Sequence, residues 1–314
     1  MIAKTGLLLL GLVACRGPSD VAVHRVTRAA DRSGPRILCV VAHPDDEIAF
    51  AGTLYKTATF LDGAVDVCVI TNGEGGFKYA TLAEPVYGLE LTDEAVGRRH
   101  LPAIRERELL EGCAILGVRD VYLLGQKDHR YTQDEGEVVR VWDYEAVQER
   151  LAEILERGRY DFVFTLAPHV ATHGHHKAAT LLALRAAAVL PASERPVVLC
   201  ASGDAEPPVL EDDLQMAIQD VGPFVFDRTQ KFGYRERLDY RIVVNWAIAA
   251  HKSQGTMQLR MNRGEREHYF LFASNGSGAA DEAGVLFEAL AREQFEAREY
   301  GPTAGTNARM ISDG

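Results

Sequence analysis

Short apolar runs recur along the chain at residues 37–42, 65–71, 118–124, 161–166 and 196–201, and stretches with helical spacing separate them. A continuous apolar run bounded by turn residues is how a strand buried on both faces reads, and alternation with helices predicts a parallel sheet. The helical stretches fall at about 46–60, 94–116, 144–157 and 175–190. The second carries Ile104, Leu109, Ala114 and Leu116, and Gly117 follows as its C-cap. Three or more such units make a Rossmann-like layered α/β fold with a mainly parallel sheet flanked by helices. Two stretches without periodicity, 74–93 and 125–143, are predicted as long loops at the same sheet edge and as walls for a substrate. Further on, strands are expected around 241–244 and 269–273 and a helix over about 280–298.

Of the 314 residues 47% are hydrophobic, enough for one large core, and the formal net charge of −11 argues against a nucleic-acid partner. Cys39, Cys68, Cys113 and Cys200 lie in apolar patterns, too far apart for a disulfide scaffold or a zinc knuckle, and are expected in the core. The N-terminus has one lysine, Lys4, and an apolar segment at 7–13 that is too short to span a bilayer; this is the layout of a secretory signal. Leu12-Val13-Ala14-Cys15 resembles a bacterial lipobox. That resemblance implies a signal peptide at 1–14, a lipidated Cys15, a tether over 15–35 and a domain over 36–314, in an exported protein held at the outer membrane or cell surface by its lipid.

Candidate chemistry sits where two strands end. His43-Pro44-Asp45-Asp46-Glu47 directly follows the run 37–42, and His169, His173, His175 and His176 follow the run 161–166. Open α/β sheets bind ligands outside the carboxyl ends of their strands. Two imidazoles and one carboxylate, with a position left for water, make a catalytic zinc site; the same set also serves iron(II). His43 and Asp46, three apart at a strand-to-helix turn, can share one ion with His176. Such an ion makes water a nucleophile near neutral pH and polarises a carbonyl. Asp45, beside a ligand but not itself one, suits a general base, and His173 or His175 can steady an oxyanion. Glu47 either caps the next helix or orients His176. Arg105 reads equally as a substrate contact or as a helix-surface partner of Glu108 or Glu111. Asp128, on the loop 125–143, is a candidate substrate contact, as is His175. Asn72-Gly73-Glu74-Gly75-Gly76 is either a plain βα turn or part of the site floor.

The motif Ala42-His43-Pro44-Asp45-Asp46-Glu47 and the run His173-Gly174-His175-His176 together resemble the LmbE-like, or PIG-L, zinc-dependent N-deacetylases, which act on N-acetylglucosaminyl conjugates. The similarity extends to residues 71–76, to Arg105-Glu106-Arg107-Glu108 with Leu116-Gly117, and to His251-Lys252-Ser253-Gln254, covering roughly 36–275. It implies that His43, Asp46 and His176 ligate zinc, that Asp45 is the base, that His173 is the electrostatic histidine and that Arg105 touches substrate. In this chain His175 stands where many relatives place an aspartate that orients that histidine, and Asn245 stands where a lysine is common. His251 reads as a core residue or a support for the site. The activity so implied is removal of an acetyl group from an N-acetylated amino sugar, glycolipid or cell-wall glycan. Its rivals are a surface lipoprotein that binds sugar or metal without turnover, and a zinc amidohydrolase for another amide.

Overall fold

The computed structural model describes residues 21–27, 32–212 and 216–292. The apolar segment at 7–13 and Cys15 lie outside them. Among the described residues no helix is long and apolar enough to cross a membrane.

The strands in chain order are β1 Ala22–Arg25, β2 Arg36–Val41, β3 Ala64–Thr71, β4 Asp120–Gln126, β5 Phe162–Leu166, β6 Val197–Ser202, β7 Phe224–Asp227, β8 Lys231–Phe232, β9 Leu238–Asp239 and β10 Arg266–Leu271. The helices are α1 Ala51–Phe60, α2 Glu84–Tyr87, α3 Glu94–Leu116, α4 Glu135–Val139, α5 Tyr144–Gly158, α6 Gly174–Ala188, α7 Tyr240–Ala250, α8 Gly255–Gln258 and α9 Ala279–Ala291. One sheet runs β1-β4-β3-β2-β5-β6-β10-β7, and β8 and β9 form a separate pair. From β4 to β6 the neighbours are parallel; β1 is antiparallel to β4, and β10 is antiparallel to β6 and to β7. The expected layered α/β fold is the one observed.

Side-chain alternation divides the core in two. From β2, Ile37, Cys39 and Val41 pack with α1, α3, α7 and α9, whereas Leu38, Val40 and the following Ala42 pack with α5 and α6. All four expected core cysteines are buried and free. Helix α3 starts at the Asp93 side chain, which accepts the N–H of Val96 at 3.0 Å, a cap that stabilises by ~1 kcal/mol. It ends at Gly117 with φ 75°, a left-handed conformation that glycine adopts without strain.

Three expectations need correction. Residues 241–244 belong to α7, not to a strand: Ile242-Val243-Val244 is β-branched, but the buried positions Tyr240, Val243, Val244, Ala247 and Ile248 follow a helical period. Residues 22–25, assigned above to a tether, form β1 at the sheet edge. The two long loops carry the short helices α2 and α4 and are not structureless.

The topology places the site. From β2 the chain builds outward through β3 and β4; from β5 it builds the other way through β6. The carboxyl ends of β2 and β5 therefore flank a switch point, where two adjacent strands send their connections apart and leave a crevice.

Candidate active site and metal centre

At the end of β2 the chain turns so that the His43 N–H donates to Asp46 Oδ2 at 2.8 Å and the Asp46 N–H donates to the His43 carbonyl at 3.2 Å. This closed turn brings two side chains three positions apart to one point. His43 Nδ1 lies 3.3 Å from Asp46 Oδ2, and Asp46 Oδ1 lies 3.3 Å from His176 Nε2 on the first turn of α6. The donor atoms of His43, Asp46 and His176 lie within 4.8 Å of one another, so the structure brings together the three expected ligands. Burial alone would raise the Asp46 carboxyl, but the charge and hydrogen bonds of His176 and His43 outweigh it and hold it well below the carboxylate range. A carboxylate kept ionised between two imidazoles, at the edge of a cavity, fits a divalent cation with a position left open. A second group, His43, His173 and His175, has the same compactness but no carboxylate, and its His175 is fully buried.

Asp45 turns away from these donors. Its backbone φ of 138° is a strained conformation for a non-glycine residue, and its N–H is held by Glu47 Oε2 at 3.0 Å. Asp45 Oδ1 lies 3.2 Å from Arg105 Nη2. Burial pushes the Asp45 carboxyl up to about 6; Arg105 opposes that rise and Asp46 adds to it. Such a carboxyl is ionised at neutral pH yet basic enough to accept a proton.

Arg105 does not pair along the helix surface. It is buried, and it donates to the Pro44 carbonyl at 2.6 Å and the Gly73 carbonyl at 2.8 Å, tying the ends of β2 and β3 together. Glu108 instead accepts from Tyr87 and from Ser253, whose hydroxyl lies at 2.6 Å, fixing the Lys252-Ser253-Gln254 segment to α3. The glycine turn does shape the floor. A Cβ at Gly75 would lie 2.5 Å from Asp128, and one at Gly73, where φ is 73°, would lie 2.7 Å from the Arg105 guanidinium.

His173 is the N-cap of α6, and its Nδ1 accepts the His175 N–H at 3.1 Å. With Nδ1 accepting, the proton of the neutral ring sits on Nε2. Burial, then His43 and His176, push the His173 ring down to about 3, so it faces the cavity as a neutral donor and not as an imidazolium. His175 is not a substrate contact, contrary to expectation: it is fully buried, with Nδ1 3.0 Å from His43 Nε2 and Nε2 3.0 Å from His129 Nδ1. Asp128 lines the cavity, but its Oδ2 accepts the Gly75 N–H at 3.1 Å. Glu47 does not reach His176; its Oε1 lies 2.5 Å from His251 Nε2, and both side chains are fully buried. His251 thus supports the turn beneath Asp45. Asn245 bonds Asn262 at 2.8 Å, on an exposed face.

The three expected ligands, together with Asp45, Arg105 and His173, open into a cavity of about 460 Å³ walled by Phe77, Tyr79 and Tyr131 from the two loops expected as walls. Sequence reasoning missed His129 and Glu137, which lie behind His175, and the Glu47–His251 pair.

Residues 38–187 match the family model described as PIG-L: GlcNAc-PI de-N-acetylase. The chain is 26% identical over 162 residues to a "Probable N-acetyl-alpha-D-glucosaminyl L-malate deacetylase 2" of Bacillus cereus, covering 52% of this chain and 65% of that protein. A protein of the same description from Bacillus subtilis is 23% identical over 221 residues, covering 68% of this chain and 91% of that one. Among solved structures, the A40926 pseudoaglycone deacetylase superimposes over 79% of this chain and 100% of its own, with a TM-score of 0.49 and 17% identity.

Proposed function

We propose, from the site and from the match of residues 38–187 to the PIG-L family model, that this chain is a zinc-dependent hydrolase that removes the acetyl group from an N-acetylglucosamine-type conjugate. The observation that carries the reading is the separation of roles at one strand end. His43, Asp46 and His176 converge on one point, while Asp45, next in sequence to a ligand, opens into the same cavity without joining them.

His43, Asp46 and His176 would hold the ion. When bound, it acidifies water and polarises the acetamide carbonyl. Asp45 takes a proton from water as the oxygen adds to the carbonyl carbon. His173 donates its Nε2–H to the oxyanion that forms. Asp45 then returns the proton to the nitrogen as the C–N bond breaks, leaving acetate and a free amine. Arg105 keeps Asp45 aimed and Glu47 keeps its backbone in place.

The substrate class we propose draws support from a second cavity of about 380 Å³, which shares Asp46, His176, Met257 and Arg260 with the first and adds Arg263 and Arg266, beside Asp204 and a Glu267 that pairs with Arg228. Among the described residues no carboxylate pairs with Arg260, Arg263 or Arg266, in a chain whose net charge is −11. We read this arm as the seat of an anionic group, carboxylate or phosphate, on the conjugate. The lipobox-like Cys15 supports placing the protein at a bacterial membrane surface, where glycolipids and cell-wall fragments are at hand.

Amine release from paired N-acetylglucosaminyl conjugates, alike except for an anionic or a neutral second half, tests the reading. Faster turnover of the anionic member is expected. Binding of such conjugates with no amine released would make this a glycan-binding protein instead.

A further inference from the structure

We propose that Glu137, acting through His129 and His175, keeps a proton on His43 Nε2, so that Nδ1 is the nitrogen His43 offers to a cation beside Asp46 and His176. Three imidazoles lie head to tail. His43 Nε2 is 3.0 Å from His175 Nδ1, His175 Nε2 is 3.0 Å from His129 Nδ1, and His129 Nε2 is 2.9 Å from Glu137 Oε1.

A neutral imidazole carries one proton, on one nitrogen or the other, and a carboxylate only accepts. Glu137 also accepts from Arg130 Nε at 2.6 Å and Thr132 Oγ1 at 3.2 Å, and the bonds from Arg130 and His129 hold its carboxyl down to about 2. Because Glu137 is ionised, His129 must place its proton on Nε2, which leaves its Nδ1 to accept. His175 must then carry its proton on Nε2, and so must His43. One arrangement satisfies every link of the series; it ties His43 Nε2 to His175 and leaves Nδ1, 3.3 Å from Asp46 Oδ2, as the nitrogen on the side where the donors of Asp46 and His176 converge.

The surroundings keep the chain of bonds intact. His175 is fully buried, and the ring of the buried Trp142 packs against it with centroids 4.9 Å apart, so water does not break the link. Asp128 Oδ1 lies 3.9 Å from His43 Nε2 and 3.6 Å from His175 Nδ1, beyond hydrogen-bond reach, and does not compete. An aspartate at position 175 would end the series at once. A histidine there extends it to a carboxylate on α4, so Glu137, His129 and His175 are positioning residues for a ligand that two of them do not touch. Outer partners that fix a ligating histidine's tautomer tune its affinity for metal.

The consequence for zinc rests on the metal reading above; the tautomers do not. In metal-free protein ¹⁵N spectra of labelled histidines are expected to show Nε2 of His43, His175 and His129 each protonated. A bare Nε2 on any one of them overturns the proposal. Zinc affinity by chelator competition gives the second readout. Glu137→Gln, whose amide can donate as well as accept, should weaken zinc roughly three- to tenfold, less than the ~10–100-fold typical of a ligand's immediate partner. In a His175→Asp background the same substitution should change nothing, because the series is already cut. Equal weakening in both backgrounds would mean that Glu137 acts only by holding its loop. If the wild type takes up no zinc, the metal reading fails, while the spectra still decide the tautomers.

Discussion

Replacing His251 by alanine tests whether the buried pair beneath the turn that carries Asp45 is an ion pair that the fold depends on. Burial draws the His251 ring toward neutrality, but the adjacent Glu47 carboxylate outweighs it, so the folded ring stays charged to a higher pH than a free one. Alanine leaves Glu47 fully buried without its counter-charge, which typically costs ~3–5 kcal/mol. At roughly 2–4 °C per kcal/mol for a domain somewhat smaller than this one, melting should fall by about 10 °C. Removing both charges in Glu47→Leu/His251→Leu should recover most of that loss, since replacing a buried pair by apolar groups is often near neutral. Turnover should not recover, because the Asp45 N–H, strained at φ 138°, loses the oxygen that holds it. The sign with pH is fixed as well. A histidine whose folded pKa is raised contributes stability that is complete below its unfolded value and is lost as pH rises through the folded value, so the gap to the alanine variant should narrow in alkali. Calorimetric melting of the three proteins across pH, with amine release beside it, is the assay. A His251→Ala protein within ~1 kcal/mol of wild type, or a double variant no more stable than the single, would refute the reasoning.

Asp45 must be ionised to act, so the rate should fall below pH of about 6. Arg105→Met should shift that acid limb to higher pH, because Arg105 now holds the Asp45 carboxyl down; kcat/KM against pH checks it, with metal content verified. Arg260→Ala combined with Arg263→Ala should raise KM for an anionic conjugate about tenfold or more and leave a neutral one little changed, given that a charge-assisted hydrogen bond contributes ~1.5–3 kcal/mol; steady-state kinetics on the paired substrates decide it. Intact mass of protein extracted from membranes should show an acylated Cys15 as first residue, and Cys15→Ser should be unprocessed or soluble.

The parallel sheet and the two strand ends that form the candidate metal site were legible because an apolar strand that ends in histidines and acids has no reason of folding to do so. The register of function within the histidine run was not. His173 and His175 are close in sequence, which suggests a pair, yet at a helix start positions two apart point in different directions. His173 faces the cavity, and His175 turns inward to His43 and His129. Glu47 and His251 are separated by 204 residues, so no local pattern announces them. The β-branched triplet in α7 hid a helical period, and the four residues of β1 are too few to stand out from their polar surroundings.

The central claim is that a cation held by His43, Asp46 and His176 works with a base, Asp45, that does not hold it. The most direct measurement takes wild type and Asp45→Asn, strips both with chelator, restores zinc, and records bound metal and amine released from an N-acetylglucosaminyl conjugate. The account predicts one equivalent of zinc in each protein, zinc-dependent turnover in the wild type, and a rate in the variant lower by ~10²–10⁴-fold. Turnover that survives metal removal, near-normal turnover in Asp45→Asn, or a variant unable to retain zinc would contradict it.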